Sequence, residues 1–276
     1  MKDLMFSVII PTLNEELFLP KLLSSLVVQT QQNFEVIVVD GSSKDKTVAV
    51  AQSFTQNVPG LKIIVSTRAN LPLQRNIGAK QAAGSWLLFV DADSVLLPYF
   101  IARVEQFIRD KHPQVFTSWF RPDTEEPNDA LISLLAMVMA LEGPMLIKRP
   151  NIAPGPFTAI LKETFQDVGG YDEEHVFNED MDIGLRLYQR KVKYAVLRET
   201  IYVWSLRRFR TQGTLKVARQ YARAALQILV FRRALKKMPG YFMGGHLYGR
   251  EKKPIKRSVV KKYETKLKRL VREFFE

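Results

Sequence analysis

The chain has 276 residues, 46% of them hydrophobic and none of them cysteine. That is enough apolar material for one large α/β domain or a domain with an appendage, and the lack of thiols excludes disulfides, zinc–thiolate centres and cysteine nucleophiles. The net charge of +13 is uneven: residues 206–276 hold 21 Lys and Arg against 4 Asp and Glu, giving +17, whereas residues 1–205 hold 20 against 24, giving −4.

A basic C-terminal segment of this kind faces phosphate, nucleic acid or an anionic membrane. At the other end, MKDLMFSVIIPT reaches a proline too early to form a signal-peptide apolar region, so a cytoplasmic protein is expected. The longest apolar run, Ala130 to Leu141, is interrupted only by Ser133 and is shorter than the ~20 residues that span a bilayer.

The first half alternates strand-like and helix-like segments, which predicts a mostly parallel central sheet flanked by helices. Phe6 to Thr12 is a short β-branched run, and Glu15 to Val28 places Leu17, Leu19, Leu22, Leu23 and Leu26 at helical spacing. Glu35 to Asp40 reads as the second strand, with turn and cap residues Gly41, Ser42, Ser43 and Asp45 before a helix from about Lys46. Leu61 to Thr67 is the third strand, Leu73 to Ala83 a helix and Trp86 to Val90 the fourth strand. All four strands are nearly continuous apolar runs, as expected where both faces of a sheet are covered.

Further on, Pro98 to Asp110 reads as a helix, Val115 to Phe120 as a strand and Pro122 to Asp129 as an acidic loop. A Pro- and Gly-rich passage, Arg149 to Pro156, leads into a strand at Phe157 to Lys162. A short helix then ends at Gly169-Gly170, and Glu179 to Arg190 forms another.

Ligands in such sheets sit beyond the carboxyl ends of the strands. Asn14 and Glu15 follow strand one, Asp40 ends strand two, Arg68 follows strand three, and Asp91 and Asp93 end strand four, so acids from three strands converge on one crevice. Asp91 and Asp93, two apart, share a strand face. Two such carboxylates repel unless a cation lies beside them, and a hard ion completed by substrate phosphates suits the pair. A strand-end pair hydrogen-bonded to loop amides is the competing reading, as a capping or turn aspartate is for Asp40.

The blocks SVIIPTLNEE, EVIVVDGSSKDKT, LPLQRNIGAKQAAGSWLLFVDADS, VGGYDEE and NEDMDIGLRLYQR occur in the order and spacing that resemble a family 2 glycosyltransferase. The resemblance covers roughly residues 6 to 205. It implies a GT-A fold with a nucleotide-binding half (1–97), an acceptor-binding half (98–205) and, beyond the family pattern, a basic helical extension (206–276). The implied reaction is inverting transfer of a sugar from a nucleoside-diphosphate sugar donor. The resemblance assigns Pro11, Thr12, Asn14 and Glu15 to the nucleotide pocket, with Glu15 near the ribose, Asp40 to the base and Arg75 to the donor. Asp91 falls at the ribose or sugar and Asp93 at a metal, Mg²⁺ or Mn²⁺, that bridges the phosphates; Asp91 is the second candidate for that ion. The Glu-Asp pair maps onto Glu179 and Asp180, with Asp180 as general base. Gly169, Gly170 and Tyr171 match the turn before the acceptor site.

The chain departs from processive relatives in lacking Gln-X-X-Arg-Trp, since Ser205 to Arg210 reads SLRRFR. That favours single addition, and leaves Arg207 or Arg208 to meet the diphosphate. His246 is weighed as a further metal ligand and His175 as an acceptor contact, each against a structural role; Asp182 is read as a first-turn acid favoured by the helix dipole. Leu215 to Met238 forms a basic amphipathic stretch, read either as a helix lying on anionic lipid or as one packed on the domain. Together with the 130–141 run it points to a lipid-linked acceptor and a position peripheral to the inner face of the membrane, with nucleic acid ranked well below. The rival classes are a sugar nucleotidyltransferase, which needs a Gly-rich basic loop where this chain has LNEELFLP, and a non-catalytic nucleotide-binding scaffold.

Overall fold

The computed structural model describes residues 6–124 and 156–214 continuously, with residues 129, 131, 216, 217, 219, 220, 223, 236 and 244–247 in addition. The apolar run at 130–141 apart from Leu131, the 149–155 passage, most of the 215–238 stretch and residues 250–272 lie outside the described residues.

The described elements are β1 (Phe6–Thr12), α1 (Leu19–Val27), β2 (Phe34–Asp40), α2 (Thr47–Ser53), β3 (Lys62–Val65), α3 (Leu71–Gln81), β4 (Trp86–Val90) and β5 (Ser94–Leu96). They continue with α4 (Phe100–Lys111), β6 (Val115–Pro122), β7 (Phe157–Leu161), α5 (Lys162–Asp167), α6 (Glu179–Gln189), β8 (Tyr194–Trp204), α7 (Arg207–Gln212) and a 3₁₀ turn at Gly245–Leu247. One sheet of eight strands runs in the order β3-β2-β1-β4-β7-β6-β8-β5. β3, β2, β1 and β4 are mutually parallel, β7 pairs antiparallel with β4 and β6, β6 and β8 are parallel, and β5 is antiparallel to β8. The α/β class and the mostly parallel sheet expected from the sequence are both present.

Period-two alternation divides the core into two layers. Val8, Ile10, Val36, Val38, Leu88 and Val90 face α1 and α4 through Leu22, Leu26, Phe100 and Val104. Ile9, Ile37, Val39, Leu87 and Phe89 face α3, α5 and α6 through Ala79, Phe165, Ile183 and Leu187. Burial on both faces is what makes β1, β2 and β4 legible as unbroken apolar runs.

Several expectations shift. α1 starts at Leu19 with Pro20 in its first turn, and not at Glu15, because residues 13–18 form the loop that presents Glu15; Leu17 is exposed. β3 spans only Lys62–Val65 and has no fully buried residue, since it is the sheet edge and not a doubly covered strand. α3 starts at Leu71, where Asn70 accepts a hydrogen bond from Leu73 N (2.8 Å) as its cap. β8 was not expected at all: exposed Arg198, Glu199 and Thr200 interrupt its apolar pattern, and its pairing with β6 shifts register there.

Where α3 crosses β1, Gly78 lets the helix approach closely. A Cβ there would sit 2.3 Å from Ile9 Cγ2, with Ile9 itself fixed in the core. Gly78→Ala is expected to lose about 1–3 kcal/mol of stability through overpacking, read as a lowered urea midpoint at unchanged slope.

Candidate active site

The register of the sheet assembles the site. Thr12 pairs with Asp40 at the ends of β1 and β2, and Asp91 and Asp93 follow β4 on the other flank of β1. Gln74 of α3 donates through Nε2 to the carbonyls of Thr12 (2.8 Å) and Val39 (2.7 Å), tying the helix to both strand ends. The next residue, Arg75, is thereby held at the crevice, 1% exposed.

Asp40 is also 1% exposed, and the turn after β2 engages it. Its Oδ1 accepts from Thr12 Oγ1 (3.0 Å) and Ser43 Oγ (2.5 Å), and its Oδ2 from Ser43 N (2.8 Å). Pro11 lies buried one residue before Thr12. Asn14 adopts a left-handed backbone (φ 53°). It joins two loops, with its N donating to Ser43 Oγ (2.7 Å) and its Oδ1 accepting from Lys44 N (2.7 Å).

Glu15 and Asp93 share one guanidinium. Arg207 Nη1 and Nη2 each donate to Glu15 at 2.8 Å, and its Nε lies 2.8 Å from Asp93 Oδ2. The Arg207 guanidinium carbon sits 4.2 Å from the Phe18 ring centroid, a cation–π contact. Local structure explains this reach: β5 pairs Ser94 with Trp204 at the end of β8, so the chain entering α7 passes directly beside Asp93.

Arg75 divides itself in the same way, donating from Nη1 to Glu179 Oε1 (2.9 Å) and from Nη2 to Asp91 Oδ1 (3.1 Å). It lies over Tyr171, 5.1 Å from the ring centroid. The 171 loop is fixed by Asn76, which donates to Tyr171 O and accepts from Tyr171 N, both at 2.9 Å. Gly169 (φ 83°) and Gly170 (φ 68°) make the turn before it, in keeping with a backbone role for both glycines. Asp180, beside Glu179 in the first turn of α6, accepts from Met181 N (2.8 Å).

Five carboxylates therefore face two guanidinium groups, and protonation follows. Burial pushes the Asp93 carboxyl up to about 7 against the pull of Arg207, with Asp91 and Glu15 adding repulsion. Burial likewise raises Glu15, with Arg207 opposing. Asp180 is raised to about 7 by burial and then by the Glu179 charge, with Arg75 opposing.

The oxygen-only donor set and the surplus negative charge at Asp93, Asp91 and Glu15 suit a hard divalent cation. These three do not, however, form a converging trio of ligand atoms. Among the described residues the group that does is Asp172, His175 and Asp182, whose ligand atoms lie within 4.8 Å of one another. Asp182 also pairs with Arg186 (2.6 Å).

Sequence reasoning left open which of Arg207 and Arg208 matters and did not foresee the Phe18 stack; its only signal was a basic pair soon after an aromatic-rich run. It also passed over Asp172, which the spacing Asp-X-X-His would have flagged. His246 contacts Asn14, its Nδ1 accepting from Asn14 Nδ2 (2.9 Å), and among the described residues it belongs to no group of converging ligand atoms. Beside it, Gly245 N donates to Leu13 O (2.9 Å), and a Cβ on Gly245 would fall 2.3 Å from Asn14 O.

Removing Arg207 leaves two buried carboxylates unpaired. Arg207→Ala is expected to destabilise the protein by about 3–5 kcal/mol at pH 8. Asp93 already has a folded pKa near 7 against 3.8 in the unfolded chain, and losing Arg207 raises it further. A carboxyl raised on folding contributes stability at low pH that is lost as pH rises. The deficit should therefore shrink as pH falls from about 9 to about 7, the range between the folded Asp93 values of the variant and the wild type, and level off below it, measured by urea melts across that range.

Comparison with known proteins agrees with this architecture. Residues 7–169 match the family model described as Glycosyl transferase family 2. An uncharacterized glycosyltransferase of Haemophilus influenzae is 33% identical over 187 residues, covering 67% of this chain and 62% of that protein. The crystal structure of Staphylococcus aureus TarS 1-349 in complex with UDP superposes with a TM-score of 0.62 at 24% identity, covering 73% of this chain and 60% of that one. The mannosyltransferase PcManGT of Pyrobaculum calidifontis, solved with GDP-Man and Mn²⁺, gives 0.61 at 18% identity, covering 80% and 64%. The shared fold is GT-A, and the chain spans under two thirds of the Haemophilus relative. By the match of its family model over residues 7–169, the chain belongs to glycosyl transferase family 2.

Proposed function

We propose that the protein is an inverting glycosyltransferase that moves a sugar from a nucleoside-diphosphate sugar to an acceptor hydroxyl. The observation that carries this reading is the Arg75 bridge, which ties Asp91 at the end of β4 to Glu179 at the start of α6. Donor-side acid and base-bearing helix are thereby held in one crevice, as in-line displacement requires.

In this reading residues 1–97 bind the donor and 98–205 the acceptor. Pro11, Thr12, Asn14 and Glu15 line the nucleotide pocket. Asp40 accepts from the base through Oδ2, which holds one hydrogen bond in the structure. Asp180 takes the proton of the acceptor hydroxyl, whose oxygen bonds to the anomeric carbon as the bond to the diphosphate breaks on the opposite face. The diphosphate leaves with that electron pair. Glu179 and Arg75 orient the base, and Asp91 meets the donor sugar. Asp93 and Asp91 would hold a divalent cation, Mg²⁺ or Mn²⁺, which when bound neutralises charge on the leaving diphosphate.

Arg207, which pairs with both Glu15 and Asp93, would meet the diphosphate. UDP and GDP sugars head the donor screen, because the TarS structure holds UDP and the mannosyltransferase GDP-Man on the same fold. The extension at 206–276, at +17, would dock an anionic membrane surface carrying a lipid-linked acceptor. No helix among the described residues is long and apolar enough to cross a membrane.

Transfer should decline as pH falls through about 7, where Asp180 gains a proton. Asp180→Asn should bind the donor normally yet lose transfer by about 10²–10⁴-fold; near-normal transfer removes Asp180 as base. Asp93→Ala should abolish the dependence of nucleoside-diphosphate binding on Mn²⁺. Calorimetry showing equal affinity with and without Mn²⁺ in the wild type would refute the cation role. Bound nucleotide with no turnover of any donor would favour the scaffold reading.

A further inference from the structure

We infer that Asp172, His175 and Asp182 form a second cation site, separate from the donor crevice, that takes a first-row transition ion such as Zn²⁺. His175 Nε2 lies 3.6 Å from Asp172 Oδ2 and 3.7 Å from Asp182 Oδ1. Those separations are too long for hydrogen bonds. They are close to the spacing of ligands around an ion, since groups held about 2.1 Å from a tetrahedral Zn²⁺ sit about 3.4 Å apart.

Each carboxylate is already oriented for the task. Asp172 Oδ1 accepts from Glu174 N (3.0 Å), leaving Oδ2 toward the imidazole. Asp182 Oδ2 accepts from Arg186 Nε (2.9 Å) and Nη2 (2.6 Å), leaving Oδ1 toward the imidazole. Arg186 is in turn anchored on the carbonyls of Val168 (2.6 Å) and Gly170 (2.7 Å). One oxygen pinned by a donor and the other presented inward is the outer-shell support that metal-binding carboxylates have.

The imidazole supplies the independent observation. His175 is 4% exposed and, among the described residues, neither ring nitrogen makes a hydrogen bond; Nδ1 is fully buried without a partner. Burial of an imidazole in this state has an uncompensated desolvation cost; an ion would supply a partner at Nε2, the nitrogen that faces Asp172 and Asp182, and leave Nδ1 as the buried N–H. A nitrogen among the donors favours Zn²⁺ over Mg²⁺, which prefers oxygen alone. Such an ion would clamp the 171–175 loop to the first turn of α6, the turn that carries Glu179 and Asp180.

The test is calorimetric titration of Zn²⁺ into metal-stripped, untagged full-length protein, with Asp93→Ala as background so that the donor crevice does not contribute. One equivalent should bind, and His175→Ala should weaken it at least about tenfold with an unchanged far-ultraviolet spectrum. Asp172→Asn, a half-exposed position, gives the same reading if His175→Ala does not fold. On ¹⁵N-labelled protein, Zn²⁺ should shift the His175 Nε2 resonance. No Zn²⁺ binding in the Asp93→Ala background, or undiminished affinity in the folded His175 or Asp172 variant, overturns the site. Because the readout is binding, it is independent of whether the chain transfers sugar.

Discussion

Arg75 and Arg207 divide four carboxylates between them, three just beyond the carboxyl ends of strands and Glu179 at the start of α6, and the geometry of the crevice follows from that division. Neither arginine could be a lysine, because each spreads planar donors over two acids on different elements. The balance stays negative, so burial and mutual repulsion outweigh the guanidinium contacts at Asp93 and Asp180 and hold both carboxyls above their usual range. A crevice left with surplus negative charge is disposed to accept a cation at one end and a proton at the other. Those are the two needs of the proposed transfer, which would expel a diphosphate and deprotonate a hydroxyl.

The sheet makes this sharing workable by being continuous. β4 pairs parallel with β1 on one side and antiparallel with β7 on the other, so the strands of the two halves of the chain form one layer. Arg75 then spans a gap whose two banks cannot drift apart. The segment after β8 behaves differently: α7 and the Gly245–Leu247 turn reach back over the loop that follows β1. Leu206, Phe209 and Val217 with Trp204 give that return a small apolar footing.

Much of this is legible in the amino-acid sequence. Strands β1, β2 and β4 announce themselves because burial on both faces demands unbroken apolar runs. The positions of Glu15, Asp91 and Asp93 follow, since the end of a strand is a sequence feature. β8 was not legible: its exposed Arg-Glu-Thr segment resembles a loop, and only pairing with β6 makes a strand of it. β3 misled in the opposite sense, because an edge strand can be apolar without being enclosed. Asp40 stayed open between turn and ligand, and the hydrogen bonds now present are those of a turn.

Local pattern alone thus determined the α/β class, the succession of the first four strands and the acids at their tips, because periodicity and strand ends depend only on neighbours in the chain. It also carried the blocks that place the chain in its family. Only the tertiary structure decided which charge answers which. Arg207 and Glu15 lie 192 positions apart, and Arg75 and Glu179 104 apart. Pairings at that separation are set by strand order and register, which arise when the whole sheet closes and no short stretch encodes them.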